Sequence, residues 1–256
     1  PNLQNIPTRT ELGSQLRRMF TAPEGCVLVD ADYSQIELRL LAHIAGDAEM
    51  QAAFRSGADF HTVTASRVFH VPPEEVTPEM RRRAKAVNFG IVYGISAFSL
   101  AQDIGVSVAE AKAYMERYFE TYQGVRQYMT DVVAKAEQDG YVQTLMHRRR
   151  ALPELKSSNF NLREFGKRVA LNMPVQGTAA DIMKLAMVRV HRRLKREGLR
   201  ARLLMQVHDE LIVECPASER EQVERLLTEE MEQAASLSVP LIAEAHSGKN
   251  WLAAKE

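Results

Sequence analysis

The sequence has few cysteines and no long apolar run, and each of these shortages excludes a class of protein. Only Cys26 and Cys215 occur among the 256 residues, which excludes a disulfide framework and a thiolate zinc site. No apolar run approaches the roughly 18 residues that suggest a membrane span, and no secretory signal pattern is present. With 45% apolar and 26% charged residues, the composition predicts a globular, reduced, cytoplasmic protein with no membrane partner.

The zero net charge hides two segments of opposite sign. Residues 141–172 carry seven Arg or Lys against two acids, whereas residues 206–256 carry eleven acids against four Arg or Lys. A basic stretch of this kind is typical of a surface that contacts a phosphate backbone. Solvated helix faces give the same pattern, so charge alone leaves both interpretations open.

Hydrophobic periodicity predicts one strand, then a long helical section, then a hairpin, a helix and a last strand. The first strand is expected over 26–32 and the hairpin strands over 203–207 and 211–215, followed by a helix over 218–234 and a strand over 239–244. This order predicts an α+β protein in which a helical domain is inserted into a sheet domain.

Local signals mark several boundaries within the helical section. Thr77 before Pro78 predicts the start of one helix, and Ser107 with Glu110 forms a capping-box pattern ahead of another. Pro174 predicts an interruption later in the section, because proline lacks the backbone N–H that a helix interior needs.

Common phosphate-binding and catalytic motifs are missing. The sequence has no G-x-x-x-x-G-K-[ST] loop, no G-x-G-x-x-G turn, no H-E-x-x-H pair and no G-x-S-x-G elbow. A bound phosphate group would therefore be held by side-chain cations or by metal ions.

Aspartates at strand ends supply the first candidate site. Asp32 ends the first predicted strand, and Asp209 lies at the tip of the hairpin, in an expected three-residue turn over 208–210. Antiparallel neighbours in one sheet bring such residues close, and two adjacent carboxylates repel unless a cation lies between them. Mg²⁺ prefers one or two carboxylates with waters and phosphates. Asp30 shares a strand face with Asp32, so spacing alone does not show which of the two would bind a metal ion. Aspartates are also common in ordinary turns, and spacing does not exclude that interpretation.

A second candidate site lies on the helix that begins at Pro78. Arg81, Lys85, Phe89 and Tyr93 are four residues apart, so all four fall within about 120° of one another around the helix. Two cations can clamp a triphosphate, and a ring can stack on a base. An aromatic core stripe with solvated basic residues at its start gives the same spacing.

Five stretches resemble a known family. Residues 32–39 (DYSQIELR), 81–94 (RRRAKAVNFGIVYG) and 206–210 (QVHDE) resemble motifs A, B and C of the family A DNA polymerases, the bacterial DNA polymerase I group. Residues 2–7 (NLQNIP) and 172–181 (NMPVQGTAAD) resemble further stretches of that family. The resemblance covers nearly the whole chain, in the same order.

The resemblance implies a fold and an activity. We expect an antiparallel palm sheet built from residues 1–36 and 201–256, with a large, mainly helical fingers domain inserted over 37–200. The family's thumb and exonuclease domains precede these stretches, and we expect them to be absent from this chain. The implied enzyme is a DNA-directed DNA polymerase that uses primer–template DNA and deoxynucleoside triphosphates. It would act as a monomer in the bacterial cytoplasm, at the nucleoid.

The resemblance also implies a metal site. It assigns two Mg²⁺ ions to Asp32, Asp209 and the carbonyl of Tyr33, with Glu210 as a secondary carboxylate nearby. It leaves Asp30 without a role. Two-metal phosphoryl transfer depends mainly on positioning and charge stabilisation.

The family's nucleotide contacts correspond to Gln35, Glu37, His61, Arg81, Lys85, Phe89 and Tyr93. By this resemblance Lys85 is also a general acid towards pyrophosphate, and Glu37, aided by Tyr93, excludes a ribose 2′-hydroxyl. His61 alone would be read as an ordinary polar loop residue. The family's primer–template contacts correspond to Arg9, Arg168, Asn172, Gln176 and His208.

Two alternatives to a polymerase core remain open at this point. The chain could be a catalytically weak fragment that binds nucleic acid or nucleotide without turnover. It could also be an RNA polymerase or reverse transcriptase with a similar palm, although Glu37 and the complete second motif argue against that.

Overall fold

The computed structural model describes residues 2–6 and 11–255, except for the side chain of Glu11. The strands are β1 (Cys26–Tyr33), β2 (Tyr141–Gln143), β3 (Arg149–Ala151), β4 (Arg202–Val207), β5 (Glu210–Pro216) and β6 (Ala243–Gly248). The α-helices are α1 (Glu11–Gln15), α2 (Ile36–Ile44), α3 (Ala48–Arg55), α4 (Phe60–Phe69), α5 (Pro78–Val92), α6 (Ala97–Ile104), α7 (Val108–Thr121), α8 (Gln123–Asp139), α9 (Phe160–Arg196) and α10 (Arg220–Glu232). Within the described ranges, the helices fall short of the length and apolar character that a membrane crossing needs.

The chain divides into two compact units. The sheet unit comprises Pro1–Ile36, Ala180–Ser236 and Leu241–Glu256, and the helical unit comprises Glu37–Ala179 and Leu237–Pro240. Residues 180–200, expected in the fingers, fall in the sheet unit by this division. The α+β class with an antiparallel sheet is confirmed.

The sheet unit is built on a four-stranded antiparallel sheet of order β4-β5-β1-β6. β1 is central, and it pairs with β5 on one side and β6 on the other. Its core cluster of Leu28, Val207, Ile212, Trp251 and Ala254 joins three of the strands to the end of the chain. Because β1 is hydrogen-bonded on both edges, the residues at its end are held in a fixed register.

The helical unit depends on a few buried polar contacts as well as its apolar core. Asp47 caps α3 by accepting from the N–H of Met50 at 2.9 Å, and it also accepts from the N–H of Gly124 at 2.8 Å. A Cβ at Gly124 would lie 2.9 Å from the Cα of Asp47, so only glycine fits there. The start of α8 is thereby fixed against α3.

Most predicted boundaries lie within two residues of the observed ones, but a helix interruption, the hairpin turn and the last strand differ from their predictions. The helix α9 continues through Pro174 without a break. The turn between β4 and β5 contains two residues rather than three, because Glu210 already pairs with Asp32 as the first residue of β5. The last strand covers Ala243–Gly248 instead of 239–244. The strand was predicted too early in the sequence because the apolar residues that suggested it are buried outside the sheet.

Candidate functional site

The sheet unit brings the main chains of the predicted strand-end aspartates next to each other. Asp32 on β1 is directly opposite Glu210 on β5, and the N–H of Tyr33 donates to the carbonyl of Asp209 at 3.1 Å. His208, the other turn residue, has a φ of 51°, in the left-handed region. The tight turn therefore holds Asp209 beside the end of β1.

The two oxygens of Asp32 have different surroundings. Oδ2 lies 3.2 Å from Nζ of Lys255, whereas Oδ1 is buried with no hydrogen-bond partner in the described part of the chain. Glu210 is almost fully buried, and its carboxylate forms ion pairs with Lys255 and, at 3.8 Å, with Arg17. A buried carboxylate oxygen that lacks a donor is suited to a cation as its partner.

This donor set fits a magnesium site. Carboxylate and carbonyl oxygens are the ligands that Mg²⁺ prefers, and it commonly takes only one or two carboxylates from the protein. A cavity of about 200 Å³ opens beside Asp32 and Tyr33. Over residues 2–6 and 11–255, no three His, Cys, Asp or Glu side chains are grouped as a closed metal cage. An open two-carboxylate arrangement is the one that leaves room for waters and phosphates.

Asp30, which the sequence left without a role, is buried beneath this site. Only 3% of the residue is exposed, and its Oδ2 accepts from Nε1 of Trp251 at 3.1 Å. Burial raises the pKa of Asp30 to about 6, although Lys255 opposes the shift. Asp30 therefore connects β1 to the C-terminal segment, and it also lines the cavity beside Asp32.

Three further predicted residues lie in the sheet unit. The side chain of Tyr33 is buried and donates to the carbonyl of Met231 at 2.6 Å, so only its main chain is a candidate ligand. Gln35 adopts a φ of 54°, and its Oε1 is buried without a partner in the described chain. The ring Nε2 of His208 lies 2.9 Å from the carbonyl of Gln4.

In the helical unit, α5 presents the predicted row of cations and rings. Arg81, Lys85 and Tyr93 are exposed and Phe89 is half-buried. The opposite face is buried: Ala84, Val87, Asn88 and Ile91. The row is therefore an accessible surface and not an aromatic core stripe.

Arg81 already has an anionic partner. Its Nε and Nη2 donate to the two oxygens of Asp59 at 2.8 and 3.0 Å. This bidentate pair lowers the pKa of Asp59 well below its usual range. Asp59 also accepts from the N–H of Thr62, and this hydrogen bond caps the N-terminus of α4. A phosphate group that binds Arg81 would exchange with, or share the guanidinium with, this carboxylate.

His61 lies in the first turn of α4, almost fully buried, and not in a polar loop. The hydroxyl of Thr64 donates to Asn88 Oδ1 at 3.2 Å, which directs the Asn88 amide nitrogen to His61 Nδ1 at 3.0 Å. Burial lowers the pKa of His61 to about 4. The ring is therefore neutral at pH 7, with Nδ1 as acceptor and its proton on Nε2.

Glu37 and Tyr93, predicted to act together, are in direct contact. The hydroxyl of Tyr93 donates to Glu37 Oε2 at 2.7 Å, although 56 residues separate them. Tyr93 caps the C-terminus of α5, and Glu37 lies in the first turn of α2. The hydrogen bond fixes the direction of the Glu37 carboxylate.

The predicted DNA-binding residues of α9 form another row. Arg168 and Gln176 are exposed, and Asn172, midway between them, is half-buried. The acceptors around the Asn172 amide assign it the orientation in which its nitrogen donates to the carbonyl of Val92 at 2.8 Å. The remaining predicted contact, Arg9, lies outside the described residues.

Comparison with known proteins assigns the family. The model of DNA polymerase family A matches residues 1–253, nearly the entire length. The chain belongs to DNA polymerase family A. Enzymes of this family are metal-dependent.

Individual relatives agree with this assignment. The chain is 56% identical to DNA polymerase I of Bacillus caldotenax and 55% identical to that of Bacillus subtilis (strain 168), over all 256 residues in each case. It spans 29% of the length of each of these relatives. A solved structure described as the POL domain of Pol1 from M. smegmatis, in complex with DNA primer-template and dNTP, superposes with a TM-score of 0.95 at 51% identity. That similarity covers 100% of this chain and 45% of the solved chain.

Proposed function

We propose that this chain is the core of a template-directed DNA polymerase, which adds deoxynucleotides to a primer 3′-hydroxyl and releases pyrophosphate. The observation that carries the proposal is the pairing of β1 with the β4–β5 hairpin in a family A chain. This pairing supports the proposal because it holds the end of β1, which bears Asp32, beside the turn that bears Asp209. It leaves a buried Asp32 oxygen without a hydrogen-bond partner in the described chain.

In this proposal Asp32, Asp209 and the carbonyl of Tyr33 hold two Mg²⁺ ions, with Glu210 as an adjacent carboxylate. When bound, such ions would activate the primer hydroxyl and neutralise charge on the triphosphate and the leaving pyrophosphate. The protein's part is to hold the carboxylates in place, and the hydrogen-bonded end of β1 supports that role.

The α5 row would bind the incoming nucleotide. Arg81 and Lys85 are exposed cations suited to the triphosphate, and Phe89 offers a ring to its sugar and base. Lys85 would also give a proton to the leaving pyrophosphate. His61 is neutral with its proton on Nε2, so it would donate a hydrogen bond to a phosphate oxygen without adding charge.

Selection of deoxyribose would depend on Glu37. Its carboxylate would occupy the space that a 2′-hydroxyl needs, and the hydrogen bond from Tyr93 would keep it there. Gln35 would complete the nucleotide contacts through its buried Oε1, which lacks a partner among the described residues.

Arg9, Arg168, Asn172, Gln176 and His208 would contact the primer–template. The acceptors of the minor groove are largely the same for every base pair, so contacts there suit an enzyme that must copy any sequence. We further infer that the protein acts as a monomer on DNA, in the cytoplasm at the nucleoid.

Primer extension tests this proposal directly. The chain is incubated with a recessed DNA duplex, Mg²⁺ and dNTPs in low salt, and the Asp209→Asn variant is compared with Asp131→Asn, an exposed aspartate of α8. We expect Asp209→Asn to reduce incorporation by at least roughly 10²-fold, because even one electrostatic contact to the transition state is worth that much. We expect Asp131→Asn to leave it unchanged.

Two other outcomes would contradict the proposal. Substantial extension by Asp209→Asn would refute the metal assignment. Salt-dependent duplex binding with no extension by the unmodified chain would instead favour a nucleic-acid-binding module without turnover.

A further inference from the structure

The end of the sheet unit places an ammonium group among the strand-end carboxylates. Nζ of Lys255 lies 3.2 Å from Asp32 Oδ2 and 3.9 Å from Asp30 Oδ2, and it forms an ion pair with Glu210. The contact with Asp32 spans 223 positions of the sequence. Three carboxylates therefore share one lysine from the opposite end of the chain.

The fold fixes this lysine in position. Lys255 ends a 3₁₀ turn, Ala253–Lys255, whose Ala254 is buried in the core cluster with Trp251. Trp251 is fully buried and donates to Asp30. A Cβ at Gly248 would lie 2.5 Å from the carbonyl carbon of Ala253, so this turn packs directly on β6. Lys255 is thus held among the carboxylates and does not reach them as a flexible tail.

The charges explain why a lysine is needed there. Asp30, Asp32 and Glu210 are neighbours on the paired strands β1 and β5, and adjacent carboxylates repel each other without cations between them. Arg17 supplies one cation, stacked 4.3 Å above the Trp251 ring and 3.8 Å from Glu210 Oε1. Lys255 supplies the cation that contacts Asp32.

We propose that Lys255 is a tethered counter-cation of the candidate metal site, which neutralises Asp32 and Glu210 in the metal-free protein and weakens binding of the first divalent ion. Asp30 is the anchor that holds this cation, through Trp251 and through its own charge. The proposal rests on the metal-binding role proposed above for Asp32.

Mn²⁺ binding to the full chain, without DNA or nucleotide, tests the inference. Free Mn²⁺ is measured by electron paramagnetic resonance for the unmodified chain, Lys255→Met and Lys255→Gln. We expect both uncharged variants to bind Mn²⁺ on the order of tenfold more tightly, because a unit charge within a few ångströms of a divalent ion has an effect of that size even at high dielectric. Lys255→Arg keeps the charge and should bind like the unmodified chain.

A second readout is thermal unfolding in EDTA. Lys255→Met and Lys255→Gln should unfold several degrees lower than the unmodified chain in EDTA, and added Mn²⁺ should raise their Tm more than it raises that of the unmodified chain. Lys249→Met, an exposed lysine of the same terminal segment, controls for loss of any positive charge there.

Three results would overturn the inference. Unchanged or weaker Mn²⁺ binding in a variant whose circular dichroism is normal would show that Lys255 does not oppose the ion. An equal increase in Mn²⁺ affinity in Lys249→Met would show that loss of any positive charge in the terminal segment has this effect. Absence of Mn²⁺ binding in the unmodified chain, or binding that persists in Asp32→Asn, would remove the metal site itself and this inference with it.

Discussion

Mild acid should destabilise the protein through His61. The folded protein holds the pKa of this ring near 4, mainly by burial, against an ordinary value of 6.5. The unfolded chain therefore binds a proton that the folded chain does not. The contribution of neutral His61 to the free energy of unfolding is complete above pH 6.5 and is lost as the pH falls towards 4.

The hydrogen bonds around the ring support the same direction. Asn88 donates to Nδ1, and its own oxygen is occupied by the Thr64 hydroxyl, so a proton on Nδ1 would face another donor. The difference between 6.5 and about 4 corresponds to about 3 kcal/mol when fully developed. At pH 5 the loss should be about 2 kcal/mol.

Urea unfolding followed by far-UV circular dichroism at pH 8, 7, 6 and 5 measures this loss. Other groups also titrate, so the quantity of interest is the difference between the unmodified chain and His61→Asn, whose side-chain oxygen can accept from Asn88 without titrating. His70→Asn, which changes the exposed histidine at the C-cap of the same helix, is the matched control. A His61→Asn chain with the same pH dependence as the unmodified protein would refute the reasoning.

Three further changes have definite expectations. Asp59→Asn should tighten dATP binding about twofold to fivefold, because it releases Arg81 from an exposed ion pair while Asn still caps α4. Thr178→Val should lower the free energy of unfolding by about 0.5–1.5 kcal/mol, because it removes the buried hydroxyl that accepts from the Leu145 N–H. Glu37→Ala should raise ribonucleotide incorporation in primer extension, since it removes the proposed steric block.

Each change has its own control. Glu79→Gln also removes one negative charge, at the start of α5, but it releases Arg82 and Arg83 and not Arg81. An equal gain in dATP affinity in this variant would contradict a specific effect at Arg81. Thr178→Ser keeps the hydroxyl and should stay near the unmodified stability. A deoxy-to-ribo ratio unaltered in Glu37→Ala would exclude Glu37 as the steric block.

Short-range signals predicted the boundaries that depend on neighbouring residues. Thr77 caps α5 by accepting from the N–H of Met80 at 3.2 Å, and Ser107 and Glu110 form the expected capping box of α7. Both interactions span three residues, so the sequence contains all of their determinants.

Boundaries that depend on distant partners were predicted wrongly. Pro174 lies inside α9, where it is buried, so tertiary packing outweighs proline's helix-breaking tendency. The apolar residues Val239 and Leu241 are buried outside the sheet. The strand begins only at Ala243, because pairing with Tyr33 sets its register.

The candidate site shows the same difference between local and long-range determinants. Its ligand-facing residues lie within short motifs, whereas the residues that balance their charges are remote: Asp59 is 22 positions from Arg81, and Lys255 is 223 positions from Asp32. No sequence pattern connects either pair. The carboxylate of Glu210 is buried and needs an intramolecular counter-charge when no ligand is bound, because an unpaired buried charge is costly, whereas the Asp59–Arg81 pair is exposed. In the proposed sites, binding of phosphate or divalent metal would therefore be an exchange of partners, and Asp59 and Lys255 would contribute to its affinity together with the residues of the motifs.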